Sequence, residues 1–238
     1  MQEYSFTSEE SGNANLLNEG VPQEKIHFTG NVMVDSLRWA ISKKTGRAVA
    51  ADISPEAGWP PIKPFVLVTL HRPSNVDEPI MLSKVMATLQ QIAERISVIF
   101  PVHPRTSAQL QAMGYPAPKS ITAHLGEPGL VLLPPLGYDK FLALMAEATA
   151  VITDSGGIQE ETTALGVPCL TVRENTERPV TLSVGTNTLV GQDIGRLAAE
   201  VDEILQGQAK KGSLPPLWDG QAAARIVSIL AGFLGKGA

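Results

Sequence analysis

A single cysteine, Cys169, excludes an internal disulfide and a cysteine-rich metal site. It lies in an apolar run, where a buried thiol is the expected state. Aromatic residues make up only 5% of the 238 residues, so Val, Ile, Leu and Ala must fill most of the core. Clusters of Lys and Arg are absent and the net charge is −5, which leaves a nucleic-acid partner without electrostatic support. No apolar run approaches the roughly 20 residues that span a bilayer, so no membrane association is expected. Met1-Gln2-Glu3-Tyr4 shows no basic or hydrophobic targeting pattern, which makes the cytoplasm the expected compartment. Asp, Glu and His do not gather at ligand spacing, so neither a metal nor another cofactor is expected.

Hydrophobic residues at 43% and charged residues at 18% are ordinary for a globular chain. There is no internal repeat. Short β-branched runs alternate with helical patterns instead. Strands are expected at Phe65–Leu70, Ser97–Val102, Leu130–Leu133, Ala150–Thr153, Pro168–Val172 and Asn187–Val190. Helices are expected at Pro79–Ile96, Thr106–Met113, Tyr138–Glu147, Gly157–Leu165 and Ile194–Leu205, where apolar residues recur at helical spacing. This alternation implies an α/β fold, a Rossmann-like parallel sheet with helices on both faces. The first 60 residues differ. Ser8–Glu19 reads as a helix capped by Ser8 and ended by Gly20, and Val32–Lys44 as another. The prolines of Asp52–Pro64 mark a linker or long loop, and Ala222–Leu234 is an apolar terminal helix.

In such sheets ligands sit beyond the carboxyl ends of the strands. Those ends carry His71-Arg72-Pro73, His103-Pro104-Arg105, Pro134 to Tyr138, Asp154-Ser155-Gly156-Gly157 and Arg173 to Pro179. Ser155-Gly156-Gly157 opens a helix directly behind a strand, and paired glycines let backbone N–H groups approach a ligand closely. A helix start favours negative charge, so this turn is a phosphate seat. It contributes only about 0.3–1 kcal/mol by itself, up to ~2 when partly buried, whereas micromolar binding needs roughly 8 kcal/mol. His71 and Arg178 are the groups that could supply more. The plainer reading is a tight strand–helix turn. Glu160 and Glu161 would ordinarily be a solvated pair, although a carboxylate one turn behind a phosphate seat suits the two hydroxyls of a ribose. His71 serves equally as a ligand group or a structural histidine, and His103 leans to the structural role. A hydrolase triad of Ser155 with His71 or His103 remains formally open, but the chain lacks the Gly-x-Ser-x-Gly elbow.

Together these segments resemble the non-hydrolysing UDP-N-acetylglucosamine 2-epimerases, whose fold is glycosyltransferase-B-like. The words that carry the resemblance are Gly30-Asn31-Val32-Met33-Val34-Asp35, Thr69-Leu70-His71-Arg72, Pro135-Leu136-Gly137-Tyr138, Thr153 to Glu161, and Thr176-Glu177-Arg178-Pro179. The resemblance implies an isomerase that inverts C2 of UDP-GlcNAc to give UDP-ManNAc, in cell-envelope polysaccharide biosynthesis, and a homodimer in full-length members. It implies that Ser155, Gly156 and Gly157 hold the diphosphate and that Glu161 binds the ribose. Leu136 and Phe141 would line the uracil site, while Arg178 and His71 reach toward the phosphates. His71 is the one catalytic residue it suggests, with further catalytic carboxylates in a preceding domain. Residues 1–31 would then be the remnant of that domain and the crossover, and 32–238 the UDP-binding domain with its returning helix. Where the family commonly reads His-Arg-Arg-Glu-Asn, this chain has His71-Arg72-Pro73-Ser74-Asn75. With the Arg-Glu pair goes the expectation of the allosteric UDP-sugar site of some bacterial members. A UDP-sugar glycosyltransferase of the same fold and a non-catalytic nucleotide-binding module are the alternatives.

Overall fold

Side chains on a strand alternate between its two faces, and the central strands here are apolar on both. In the computed structural model, which describes residues 4–43, 64–118, 128–191 and 193–234, this alternation divides the core in two. Val66, Val68, Val98 and Phe100 face one layer, with Leu82, Leu89 and Leu197. Phe65, Leu67, Ile99 and Val151 face the other, with Leu37, Leu142 and Met145. Both layers are fully buried at their centres, as a doubly covered parallel sheet requires.

The strands are β1 (Ser5–Thr7), β2 (Ile26–Phe28), β3 (Phe65–Thr69), β4 (Ser97–Pro101), β5 (Gly129–Leu133), β6 (Ala150–Thr153), β7 (Cys169–Thr171) and β8 (Asn187–Leu189). The helices are α1 (Glu10–Asn18), α2 (Val32–Lys43), α3 (Pro73–Val76), α4 (Pro79–Ala93), α5 (Pro104–Ala112), α6 (Tyr138–Glu147), α7 (Gly156–Leu165), α8 (Pro179–Ser183), α9 (Ile194–Leu205) and α10 (Ala222–Leu234). β1 and β2 form a small parallel pair. The main sheet has six parallel strands in the order β5-β4-β3-β6-β7-β8. The chain winds outward from β3 through β4 to β5, then returns to the other side of β3 with β6. The crevice between β3 and β6 is therefore the switch point of the sheet, where α/β folds place ligands. The α/β expectation with helices on both faces holds.

Helix α9 shows why sequence periodicity works here. Ile194, Leu197, Ala198 and Val201 fall on one stripe and are all buried. Cys169 is fully buried, and burial pushes its thiol up to about 11, so the inert-thiol expectation holds as well. Among the described residues no helix is long and apolar enough to cross a membrane.

One expectation about the N-terminal part of the chain changes. Helix α1 begins after Glu9 and no side chain caps it; Ser8 instead offers its carbonyl to the indole N–H of the fully buried Trp218, at 2.9 Å. The linker of Asp52–Pro64 lies outside the described residues except for its last proline. The terminal segments pack against each other. Asp35 on α2 accepts the N–H groups of Ala222 and Ala223, at 3.1 and 2.7 Å, and so caps α10 from a distance. Tyr4 stacks on Phe233 with ring centroids 4.0 Å apart.

Candidate functional site

β3 and β6 pair in register, Thr69 opposite Thr153. The residues that follow each strand, Leu70-His71-Arg72 and Asp154-Ser155-Gly156, therefore emerge side by side although more than 80 positions apart in the chain. Asp154, fully buried, ties the two turns together. Its carboxylate accepts the backbone N–H of His71 (3.1 Å), the backbone N–H of Arg72 (2.9 Å) and the Asn75 side-chain amide (3.0 Å). Its Oδ1 also lies 3.0 Å from Nδ1 of His71, whose side chain is half exposed.

The seat itself is the start of α7. Ser155 occupies the N-cap with extended backbone (φ −90°, ψ 130°), yet its hydroxyl makes no capping bond. Gly156 and Gly157 are the first two helical residues, and neither has positive φ. A Cβ at Gly156 would meet nothing within 4 Å, and one at Gly157 would meet only the Met33 methyl, at 3.8 Å. The fold therefore does not require glycine at either position. The conformational freedom of glycine is unused here, while its lack of a side chain leaves the helix-start N–H groups uncovered. That is the arrangement an anion needs.

Behind the seat lie the two glutamates, and here the solvated-pair expectation fails. Glu160 and Glu161 are both buried at 4% exposure. Burial raises the carboxyl of each above its ordinary value, and the hydrogen bond from Tyr138 offsets part of this at Glu161. Tyr138 donates to Glu161 at 2.9 Å, and burial together with that carboxylate pushes the phenol up. Glu160 accepts the Asn31 side-chain amide at 2.9 Å. Its Oε1 also sits 2.8 Å from Nε of Arg178, an ion pair whose N–H is not aimed along the contact, since Nε has no hydrogen-bond partner.

Arg178 sits at the start of α8 with its side chain 40% exposed. Gln159 on α7 fixes the preceding loop: its carbonyl accepts the Thr176 hydroxyl at 2.6 Å, and Thr176 in turn accepts the Arg178 N–H at 3.0 Å. Nearby, Arg173 and Glu177 form a two-armed ion pair, both arms 2.7 Å, that holds the Glu177 carboxyl down at about 2.

A cleft of about 840 Å³ opens between α2, α6 and α7, lined by Met33, Trp39, Tyr138, Asp139 and Glu161 among others. Met33 bounds it, and its methyl would lie 3.8 Å from a Cβ at Gly157, so the cleft borders the Gly157 side of the seat at one residue. Leu136 and Phe141 are half-buried and, like Ile158 of α7, pack against the second core layer; they do not line this cleft. His103 is structural: its Nδ1 accepts the Arg105 N–H at 3.3 Å and caps α5. Among the described residues no three of His, Cys, Asp and Glu are grouped to hold a metal ion.

The structure thus gathers His71, Ser155, Gly156, Gly157, Glu161 and Arg178 around the switch point. It adds Asp154, Asn75, Asn31 and Tyr138, to which sequence reasoning assigned no role. Asp154 had a visible signal, since an acidic residue at a buried strand end demands donors. Glu160, which accepts the Asn31 side-chain amide, lies 129 positions away, beyond any local signal.

Comparison with known proteins gives the family and the fold. The family model for UDP-N-acetylglucosamine 2-epimerase matches residues 1–231, and the chain belongs to that family. It is 36% identical to the UDP-N-acetylglucosamine 2-epimerase of Methanococcus maripaludis, over 98% of this chain and 62% of that protein. The enzyme of Methanocaldococcus jannaschii is 35% identical over 95% of this chain and 60% of its own length. The chain therefore spans about three fifths of these relatives. Among solved structures, the M. jannaschii UDP-GlcNAc 2-epimerase in complex with UDP-GlcNAc and UDP superposes with a TM-score of 0.76 at 34% identity, covering 97% of this chain and 61% of that one. The Neisseria meningitidis enzyme bound to UDP-GlcNAc gives 0.74 at 26% identity, covering 97% and 62%. A wall teichoic acid polymerase, 13% identical with a TM-score of 0.57 and covering 99% of this chain and 59% of that one, shares the fold alone.

Proposed function

We propose that this member of the epimerase family is the nucleotide-binding portion of a UDP-GlcNAc 2-epimerase. The diphosphate rests on the N–H groups of Ser155, Gly156 and Gly157 and on the Ser155 hydroxyl, which makes no capping bond, where helix dipole and free donors favour negative charge. Arg178 and His71 flank it as cation and donor. Glu161, steadied by Tyr138, accepts the ribose hydroxyls. Leu136 and Phe141 provide apolar contact for the uracil. The reaction eliminates UDP from C1 together with the C2 proton to give a glycal, then re-forms the C1–O bond to UDP as a proton is added to the other face of C2. Stabilising the departing diphosphate is electrostatic work, and the residues gathered here suit it. Moving the C2 proton needs a positioned base, which carboxylates of a preceding domain would supply. Isolated, this chain should bind UDP and turn over little UDP-GlcNAc.

The observation that carries the reading is the pair of glycines the fold does not need, set beside His71 at the switch point. It is supported by relatives whose structures hold UDP-GlcNAc and UDP. Calorimetry with UDP tests it: Ser155→Ala and Arg178→Met should each weaken binding several-fold. Unchanged affinity in both variants would mean that the phosphate seat is elsewhere. Robust UDP-ManNAc formation by the isolated chain would refute its dependence on a further domain.

A further inference from the structure

The contacts of Asp154 specify more than a folded turn. Its two oxygens accept the backbone N–H groups of His71 and Arg72 and the side-chain amide of Asn75. Asn75 is itself buried and braced by a second bond to the Val172 carbonyl at 3.0 Å, and Arg72 Nε donates to the Asp154 carbonyl at 3.2 Å. The turn after β3 is thus held on three sides against the turn after β6. The remaining contact, Oδ1 to His71 Nδ1 at 3.0 Å, then has a chemical consequence. A carboxylate has only lone pairs to offer, and a neutral imidazole carries one proton on one of two nitrogens. A lone pair on Nδ1 this close to a carboxylate oxygen would be repelled, whereas a proton there is attracted. The proton therefore resides on Nδ1, and Nε2 is the nitrogen left for a ligand.

We infer that Asp154 is a positioning residue for His71: it fixes the Nδ1–H tautomer and presents Nε2 to the diphosphate. This rests on the nucleotide-binding reading above. A lone pair on Nε2 would repel a phosphate oxygen. To engage the diphosphate, the ring must take up a second proton and sit as an imidazolium between two anions, the Asp154 carboxylate and the ligand. That step moves one proton from solvent to Nε2 and makes or breaks no other bond. The charged groups beside this contact are Arg72 on the same loop, Arg173, which acts on Asp154, and Glu177, which Arg173 and Arg72 act on. Glu177 is already ionised well below neutrality, and the arginines stay charged, so none of these competes for that proton near pH 7.

The experiment uses long-range ¹H–¹⁵N imidazole spectra of this chain, with His71→Gln identifying the His71 signals among the four histidines. The ligand-free protein, at a pH where the ring is neutral, should show pyrrole-like Nδ1 and pyridine-like Nε2. The opposite pattern, or an average of the two, overturns the proposal without any variant. Asp154→Asn preserves shape but replaces one acceptor with a donor. With its carbonyl serving the Arg72 N–H and Asn75, its amide faces Nδ1 and should drive the proton to Nε2. Retention of the Nδ1–H tautomer in that variant would show that Asp154 does not set it. Calorimetry of UDP binding in buffers of different ionisation enthalpy should find one proton more taken up by the parent chain than by Asp154→Asn; equal uptake refutes the ligand-linked step. If UDP fails to bind the parent chain, the nucleotide reading falls, while the tautomer spectra still decide the role of Asp154.

Discussion

Replacing Gly156 and Gly157 by alanine should strengthen the fold while weakening the site. Both residues are in the first turn of α7 at ordinary negative φ, and methyl groups added there would find open space or a 3.8 Å contact with Met33. Gly→Ala at a compatible position stabilises by about 0.4–1 kcal/mol, chiefly by restricting the unfolded chain. The pair is then worth about 1–2 kcal/mol. In a domain of this size each kcal/mol raises Tm by roughly 2–4 °C, so the double variant should melt about 2–8 °C higher. The same methyl groups would stand in the open space from which a ligand approaches the helix-start N–H donors. Keeping a diphosphate from close contact with them should cost tenfold or more in UDP affinity, which corresponds to about 1.4 kcal/mol. Thermal melts and UDP calorimetry on one preparation read both effects. A double variant that melts higher and binds UDP as before would refute the reasoning that these glycines serve a ligand. One that melts lower would refute the premise that the fold has room for them.

Gly30 is the opposite case: its φ is +90° and a Cβ would come within 2.0 Å of the Leu217 carbonyl oxygen. Gly30→Ala should therefore destabilise by more than about 2 kcal/mol, visible as a lowered urea midpoint with an unchanged slope. The buried glutamates predict a pH dependence. Glu160 and Glu161 have folded values above 4.5, so the folded state holds protons that the unfolded state has lost. Their contribution is fully present below pH 4.5 and lost as pH rises through the folded values. Stability should thus fall across that window, and Glu161→Gln should flatten the decline in melts taken from about pH 5 to 8.

The parts of the fold that depend on local pattern were legible in the sequence. Tyr138–Glu147, Ala150–Thr153, Ile194–Leu205 and Ala222–Leu234 end where periodicity and run length place them. Alternation of strand and helix implied a parallel sheet, but it carries no information on strand order. That His71 and Asp154 become neighbours follows only from the pairing of β3 with β6. The same limit explains the glutamates. An exposed pair is the ordinary expectation for Glu160-Glu161, and nothing near them in the chain reveals that Asn31, Tyr138 and Arg178 cover that side of α7. Ser8 looked like a cap because local chemistry favours serine there. The indole of Trp218, 210 residues away, claims its carbonyl instead. The glycine pair was legible as a motif. The empty space around it shows that the fold does not require it; its service to a ligand is what the double alanine variant tests.

The segment ahead of α2 reaches the site through side chains. Asn31 donates to the carboxylate that pairs with Arg178, and Glu9 accepts the Val180 N–H at 3.1 Å, two residues beyond Arg178. Thr29, between them in the chain, gives its carbonyl to Arg225 of α10 at 3.1 Å. The strand ends supply the donors of the seat, while this segment sets the charge balance behind it, because a buried Glu160 needs both Asn31 and Arg178 to remain ionised. A ligand that drew Arg178 toward its phosphates would leave Glu160 with the Asn31 amide alone. The raised carboxyl of Glu160 would then favour its protonated form further. On the proposed reading, binding at the seat would therefore be coupled, through one arginine and one carboxylate, to the segment that joins β2 to α2.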